Sequence, residues 1–147
     1  SDPFVPDEVI QNAGCIPVTA EELLQQSDIV SIHVRLLPAT KGMFKKEYFD
    51  LMKPTAWIVN TARAGLIDTP AMIEALQTKK IAGAALDVFD NEPLPADSPF
   101  FKMDNVILEP HIAGSTSDGM VVRIKAPLDD LVNYFETGEI KAKVNFR

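Results

Sequence analysis

At 147 residues, with 46% hydrophobic and 24% charged side chains, the chain has the size and make-up of one globular domain that folds around a core of its own. Its 14 basic and 21 acidic residues leave a net charge of -7, and the basic ones are scattered rather than gathered into a stripe, which argues against nucleic acid as a partner. Cys15, the single cysteine, has no partner for an internal disulfide, and no apolar stretch approaches the roughly 18 residues of a membrane helix. A reduced, cytoplasmic setting without a membrane partner is therefore expected.

The opening residues Ser1-Asp2-Pro3-Phe4 carry neither a secretory nor an organelle-targeting pattern, so the sequence reads as though it starts within a longer protein. Thr19 followed by Glu22 forms a capping box ahead of Leu23 and Leu24 and predicts a helix. Residues 29–33, rich in β-branched side chains, predict a first strand. Residues 56–60 predict a second, and their near-absence of polar alternation predicts a strand covered by helices on both faces. Thr69-Pro70 reads as a cap and first-turn proline for a helix that turns Met72, Ile73 and Leu76 toward the sheet. A third strand is expected within residues 81–88, an ordered loop through Pro93, Pro95 and Pro99, and a fourth strand at residues 106–108. Val121, Ile124, Leu128, Leu131, Val132 and Phe135 recur at helical spacing up to a stop at Gly138, with Pro127 inside predicting a kink or two helices. Strands alternating with helices predict an α/β fold with a parallel sheet.

Ligands of such a sheet bind beyond the carboxyl ends of its strands. Four segments fall there: His33; Asn60-Thr61-Ala62-Arg63-Ala64-Gly65; Asp87 through Glu92-Pro93; and Pro110-His111-Ile112-Ala113-Gly114-Ser115-Thr116. Taken singly, Arg63 reads as a solvated turn residue, Glu92 as an exposed loop acid, Asp87 as a cap and His111 as a hydrogen-bonded strand end. Together, an arginine, a carboxylate and a histidine suffice for reversible oxidation of a hydroxy acid. The fork of Arg63 would hold a substrate carboxylate and polarise the carbonyl being reduced. His111 would exchange the hydroxyl proton, since imidazole titrates near neutrality, and Glu92 would fix its tautomer and favour its protonated form. No protein side chain accepts a hydride, so a cofactor must.

At these residues, and over 27–33, 60–68, 85–93 and 109–116 in order, the sequence resembles the D-isomer-specific 2-hydroxyacid dehydrogenases. The resemblance extends over essentially the whole chain, from Asp2-Pro3 to Gly138. It implies that Arg63, Glu92 and His111 are the catalytic residues and that NAD is the cofactor. It further implies that Asp2 ends a strand and binds the adenosine ribose, favouring NAD over NADP, while His33, Thr40, Thr61, Ala62, Arg63, Asp87, His111 and Gly114 line the cofactor. The substrate class implied is a 2-hydroxy or 2-keto acid, the full-length protein is implied to be a homodimer, and no metal site is expected. The family usually has a proline two residues after the histidine at position 33; here Arg35 stands there.

No G-x-G-x-x-G precedes Asp2. The expectation is therefore the C-terminal portion of an NAD-binding and catalytic domain over residues 1–147, an incomplete doubly wound, Rossmann-type sheet lacking strands 1 and 2 and the substrate domain. Roughly another 150–170 residues would stand in front, as in a two-domain enzyme of ordinary size. On that expectation the strand at 29–33 has lost a neighbour, and the strand at 56–60 has an unpaired, apolar edge. Two other functions remain open at this point: a non-catalytic NAD-binding regulatory module of the same fold, and an inactive truncated product.

Overall fold

Four short strands pair in chain order into one parallel sheet: β1 (Ile29–Ile32), β2 (Trp57–Asn60), β3 (Gly83–Leu86) and β4 (Val106–Leu108). The computed structural model that shows this describes residues 1, 2 and 4–140. Its contacts divide the chain into two units, Ser1–His111 and a second beginning at Ile112.

In the first unit, α1 (Asp7–Asn12) and α2 (Ala20–Gln26) precede β1, α3 (Lys46–Leu51) joins β1 to β2, and α4 (Thr69–Gln77) joins β2 to β3. The capping box of α2 forms: the Thr19 hydroxyl accepts from the Glu22 amide at 3.1 Å, and the Glu22 carboxylate accepts from the Thr19 amide at 2.9 Å. The cap of α4 is not Thr69 but Asp68, whose carboxylate accepts from the Ala71 amide at 3.1 Å. Thr69 is committed elsewhere, its hydroxyl donating to Asp90 at 2.6 Å.

The register aligns Val30 with Ile58, Ala84 and Val106, and Ile32 with Asn60, Leu86 and Leu108, so these residues share one face of the sheet. That face carries the core. Leu24 of α2, Phe49 of α3, and Met72, Ala75 and Leu76 of α4 are buried in one cluster with Val30, Ile32, Ile58, Ala84 and Leu86. Parallel crossovers keep one hand, so strands laid down in a single direction receive their connecting helices on a single face.

The opposite face holds Ile29 and Ile107, 67% and 55% exposed, with Trp57 and Val59 half-buried between them. Of the cover expected on both faces of β2, the first unit's buried cluster supplies that of one face. The expected unpaired edge of β2 is corrected: β2 pairs with β1 on one side and β3 on the other, since the strands follow one another in order. Gly83 lets the Trp57 indole lie flat over β3. A methyl group there would come within 2.6 Å of both the indole and the Asn105 carbonyl oxygen.

In the second unit, α5 (Ser117–Thr137) runs as one helix through Pro127, not as two. Thr116 caps it through the Gly119 amide at 3.0 Å, and Gly138 ends it at φ 75°, a left-handed conformation that costs glycine little.

Candidate active site

The site is assembled where the strands stop. Ile32, Asn60, Leu86 and Leu108 are in register, so the chain leaves all four strands at one level, through His33, Thr61, Asp87 and Glu109. Arg63 lies three residues beyond β2, Glu92 six beyond β3 and His111 three beyond β4.

The structure brings Glu92 and His111 into contact. Imidazole Nδ1 lies 2.8 Å from Glu92 Oε2. Glu92 Oε1 accepts from the Phe89 amide at 3.0 Å, so the carboxylate is held from both oxygens. An ionised carboxylate only accepts, which assigns the ring proton of this contact to Nδ1 and leaves Nε2 as the nitrogen that faces any reacting group. The hydrogen bond from His111 holds the Glu92 carboxyl below the ordinary glutamate range; the Phe89 amide and then the charges of His111 and Arg63 act in the same direction. Arg63 is thus close enough to be felt by Glu92. His111 itself sits at φ 58°, in the left-handed region, which turns the chain sharply beyond β4.

Arg63 opens a short 3-10 turn over Ala64–Leu66, and its Nη1 donates to the Ala62 carbonyl at 2.6 Å. Among the described residues no carboxylate forms an ion pair with it. Its remaining donors suit a planar carboxylate.

The other residues expected at the cofactor are less uniform. His33 bonds Ser31 through Nε2 at 2.9 Å. Thr40 is occupied within its own loop, donating to the Arg35 carbonyl at 2.7 Å and accepting from the Leu37 amide at 2.8 Å. Thr61 and Ala62 lie in the turn after β2, and Asp87, only 3% exposed, follows β3 with its amide donating to the Asn60 carbonyl at 3.1 Å. Asp2 stands in no strand; its carboxylate accepts from the Phe4 amide at 2.9 Å. Gly114 belongs to the second unit, where the Arg123 guanidinium packs against its backbone. A cavity of about 270 Å³ lies against Met72, Leu86, Phe89, Leu94 and Phe100 and reaches Asn60 and Ala64 of the arginine turn, while none of Arg63, Glu92 and His111 lines it.

Sequence reasoning passed over two residues that hold this site: Asn60, buried at the end of β2, and Phe89, whose backbone anchors Glu92. For Asn60 a signal existed, a lone amide closing an otherwise apolar strand. For a backbone donor none did.

The family described as D-isomer specific 2-hydroxyacid dehydrogenase, NAD binding domain, matches residues 1–113. The chain belongs to this family. Among its dehydrogenase relatives, a D-3-phosphoglycerate dehydrogenase of Archaeoglobus fulgidus is 38% identical over 98% of this chain and 27% of that protein. A glyoxylate reductase of Thermofilum pendens is 52% identical over 65% of this chain and 28% of that protein. In structure, D-lactate dehydrogenase with NAD+ from Lactobacillus jensenii superimposes with a TM-score of 0.84 at 33% identity, over 99% of this chain and 47% of that one. The chain therefore spans under half the length of these relatives, and its residues 1–113 match the family's NAD-binding domain. Its all-parallel open sheet is the Rossmann-type fold of those neighbours.

Proposed function

We propose that the intact protein carrying this chain interconverts a D-2-hydroxy acid and a 2-keto acid with NAD, and that this chain supplies the acid–base pair and the carboxylate-binding arginine. The observation that carries the reading is the 2.8 Å contact of His111 with Glu92, from segments 19 residues apart. In the reduction direction Arg63 holds the substrate carboxylate through two parallel hydrogen bonds and polarises the adjacent carbonyl. His111 delivers a proton from Nε2 to the carbonyl oxygen, and Glu92, bound to Nδ1, keeps the ring in the orientation and tautomer that transfer requires. In oxidation the same nitrogen takes the hydroxyl proton back.

The residues present fit a nicotinamide cofactor in one respect: the four strands end at one level and form a continuous rim, the place where a dinucleotide lies in an open parallel sheet, with Asp87 proposed beside it. When bound, the nicotinamide would supply the hydride in reduction and accept it in oxidation, chemistry that no side chain provides. His33, Thr40, Thr61, Ala62, Arg63, His111, Asp2 and Gly114 remain the proposed surroundings of that cofactor. Residues 1–147 are proposed as the C-terminal portion of the NAD-binding and catalytic domain, in a protein proposed to be a cytoplasmic homodimer.

The test is turnover by the full-length protein. NADH oxidation is followed with glyoxylate, hydroxypyruvate and pyruvate, for the parent and for His111→Ala and Arg63→Lys. His111→Ala should lower kcat by about 10²-fold to 10⁴-fold. Arg63→Lys, which keeps the charge and loses the fork, should raise KM for the keto acid by about 10-fold to 100-fold. No turnover by the parent on any member, or a His111→Ala protein as active as the parent, would remove the reading.

A further inference from the structure

Asn60 ends β2 with 1% of its surface exposed, and both polar atoms of its carboxamide and its backbone carbonyl are engaged. Its side-chain Oδ1 accepts from the Ala62 amide at 3.0 Å, and its Nδ2 donates to the Arg63 carbonyl at 2.9 Å. Its own carbonyl accepts from the Asp87 amide at 3.1 Å. One carboxamide thus closes both ends of the turn that leaves β2, as a turn's own backbone would. The hydrogen bonds then continue outward: Asn60 holds the Ala62 N–H and the Arg63 carbonyl, the groups on either side of the Ala62–Arg63 peptide, and it is the carbonyl of that peptide on which the Arg63 guanidinium rests at 2.6 Å.

We propose that Asn60 is a positioning residue of the dehydrogenase site, fixing the Ala62 peptide and through it the direction of the Arg63 guanidinium, while tying that turn to the start of the Asp87 segment. The inference rests on the role proposed above for Arg63. Few side chains can do this. The position needs an acceptor and a donor side by side on a short stem: aspartate sets an oxygen against the Arg63 carbonyl, serine keeps one acceptor and loses the donor, and leucine loses both. A guanidinium that must meet a carboxylate in two parallel bonds is sensitive to small displacement, and a misplacement of about 1 Å in a reacting geometry costs on the order of 10²-fold in rate.

The experiment uses the full-length protein with Asn60→Asp and Asn60→Ser, each in the parent and in an Arg63→Ala background. Kinetics with a turned-over keto acid are measured together with NADH affinity by fluorescence and the Arg63 side-chain Nε signal by NMR. In the parent background each variant should lower kcat/KM for the keto acid by about 10-fold to 100-fold, well beyond any weakening of NADH binding. In the Arg63→Ala background the same substitutions should change kcat/KM by less than about twofold, because the arm they position is gone. Parent-like turnover of both Asn60 variants, or losses that multiply in full on top of Arg63→Ala, would overturn the proposal and leave Asn60 a satisfied strand-end amide. Should the parent turn over no keto acid, the functional reading falls on its own account, and the NMR signal still decides this one. Loss of a fixed Arg63 Nε environment in Asn60→Ser supports positioning; an unchanged signal overturns it.

Discussion

A carboxylate that gives one oxygen to an imidazole and the other to a backbone amide has little freedom left, and Glu92 is held in that way. Its folded-state pKa lies below the value of a free glutamate, so the associated stabilisation is present above the free value and is lost as pH falls through the lowered one. The largest cause is the bond from His111, followed by the Phe89 amide. Carboxyl-carbon NMR should therefore find the Glu92 midpoint below the ordinary glutamate range, and His111→Ala should move it up further than Arg63→Ala does. The reverse order would mean that Arg63 dominates. The pairing of Glu92 with His111 was legible in the sequence because each is a chemically capable side chain set shortly after an apolar strand. Asn60 was not, since an amide can end a strand for many reasons and only the coordinates reveal that both its ends are engaged by the arginine turn.

Helices and strands were legible to the extent that local chemistry wrote them. The Thr19–Glu22 box was plain because both halves of the motif are side chains, and Thr19→Ala should lower stability by about 1 kcal/mol in denaturant unfolding. At α4 two neighbouring residues could each cap, and the sequence alone did not say that Thr69 is taken by Asp90. Asp68→Ala should therefore cost about 1 kcal/mol as a lost cap. Helix α3 left no mark in the sequence: it has six residues, too few for a period, and Lys45 makes no side-chain cap bond. In β3, Gly83→Ala should cost about 1–3 kcal/mol by overpacking, and adding Trp57→Ala should recover only part of it, because the Asn105 carbonyl remains in the way. Full recovery would show that the indole alone demands the glycine.

At the scale of the molecule, the parallel Rossmann-type sheet was legible from strand–helix alternation, while the face that carries the first unit's core was not: an apolar strand reads the same from either side. What the opposite face implies is measurable. A polypeptide of these 147 residues displays Ile29 and Ile107 on an open sheet face and should self-associate in light scattering, and Ile29→Lys with Ile107→Lys should reduce that without unfolding the core. Position within the sheet matters in another way. β2 is bonded along both sides, whereas β4 contributes three residues and pairs, among the described strands, with β3 alone. The arginine turn is therefore rooted in the interior of the ladder and the histidine at its margin. Fraying from that margin releases His111 first, so amide exchange should be faster along residues 106–108 than along 57–60, and warming should silence proton transfer while the guanidinium is still in place.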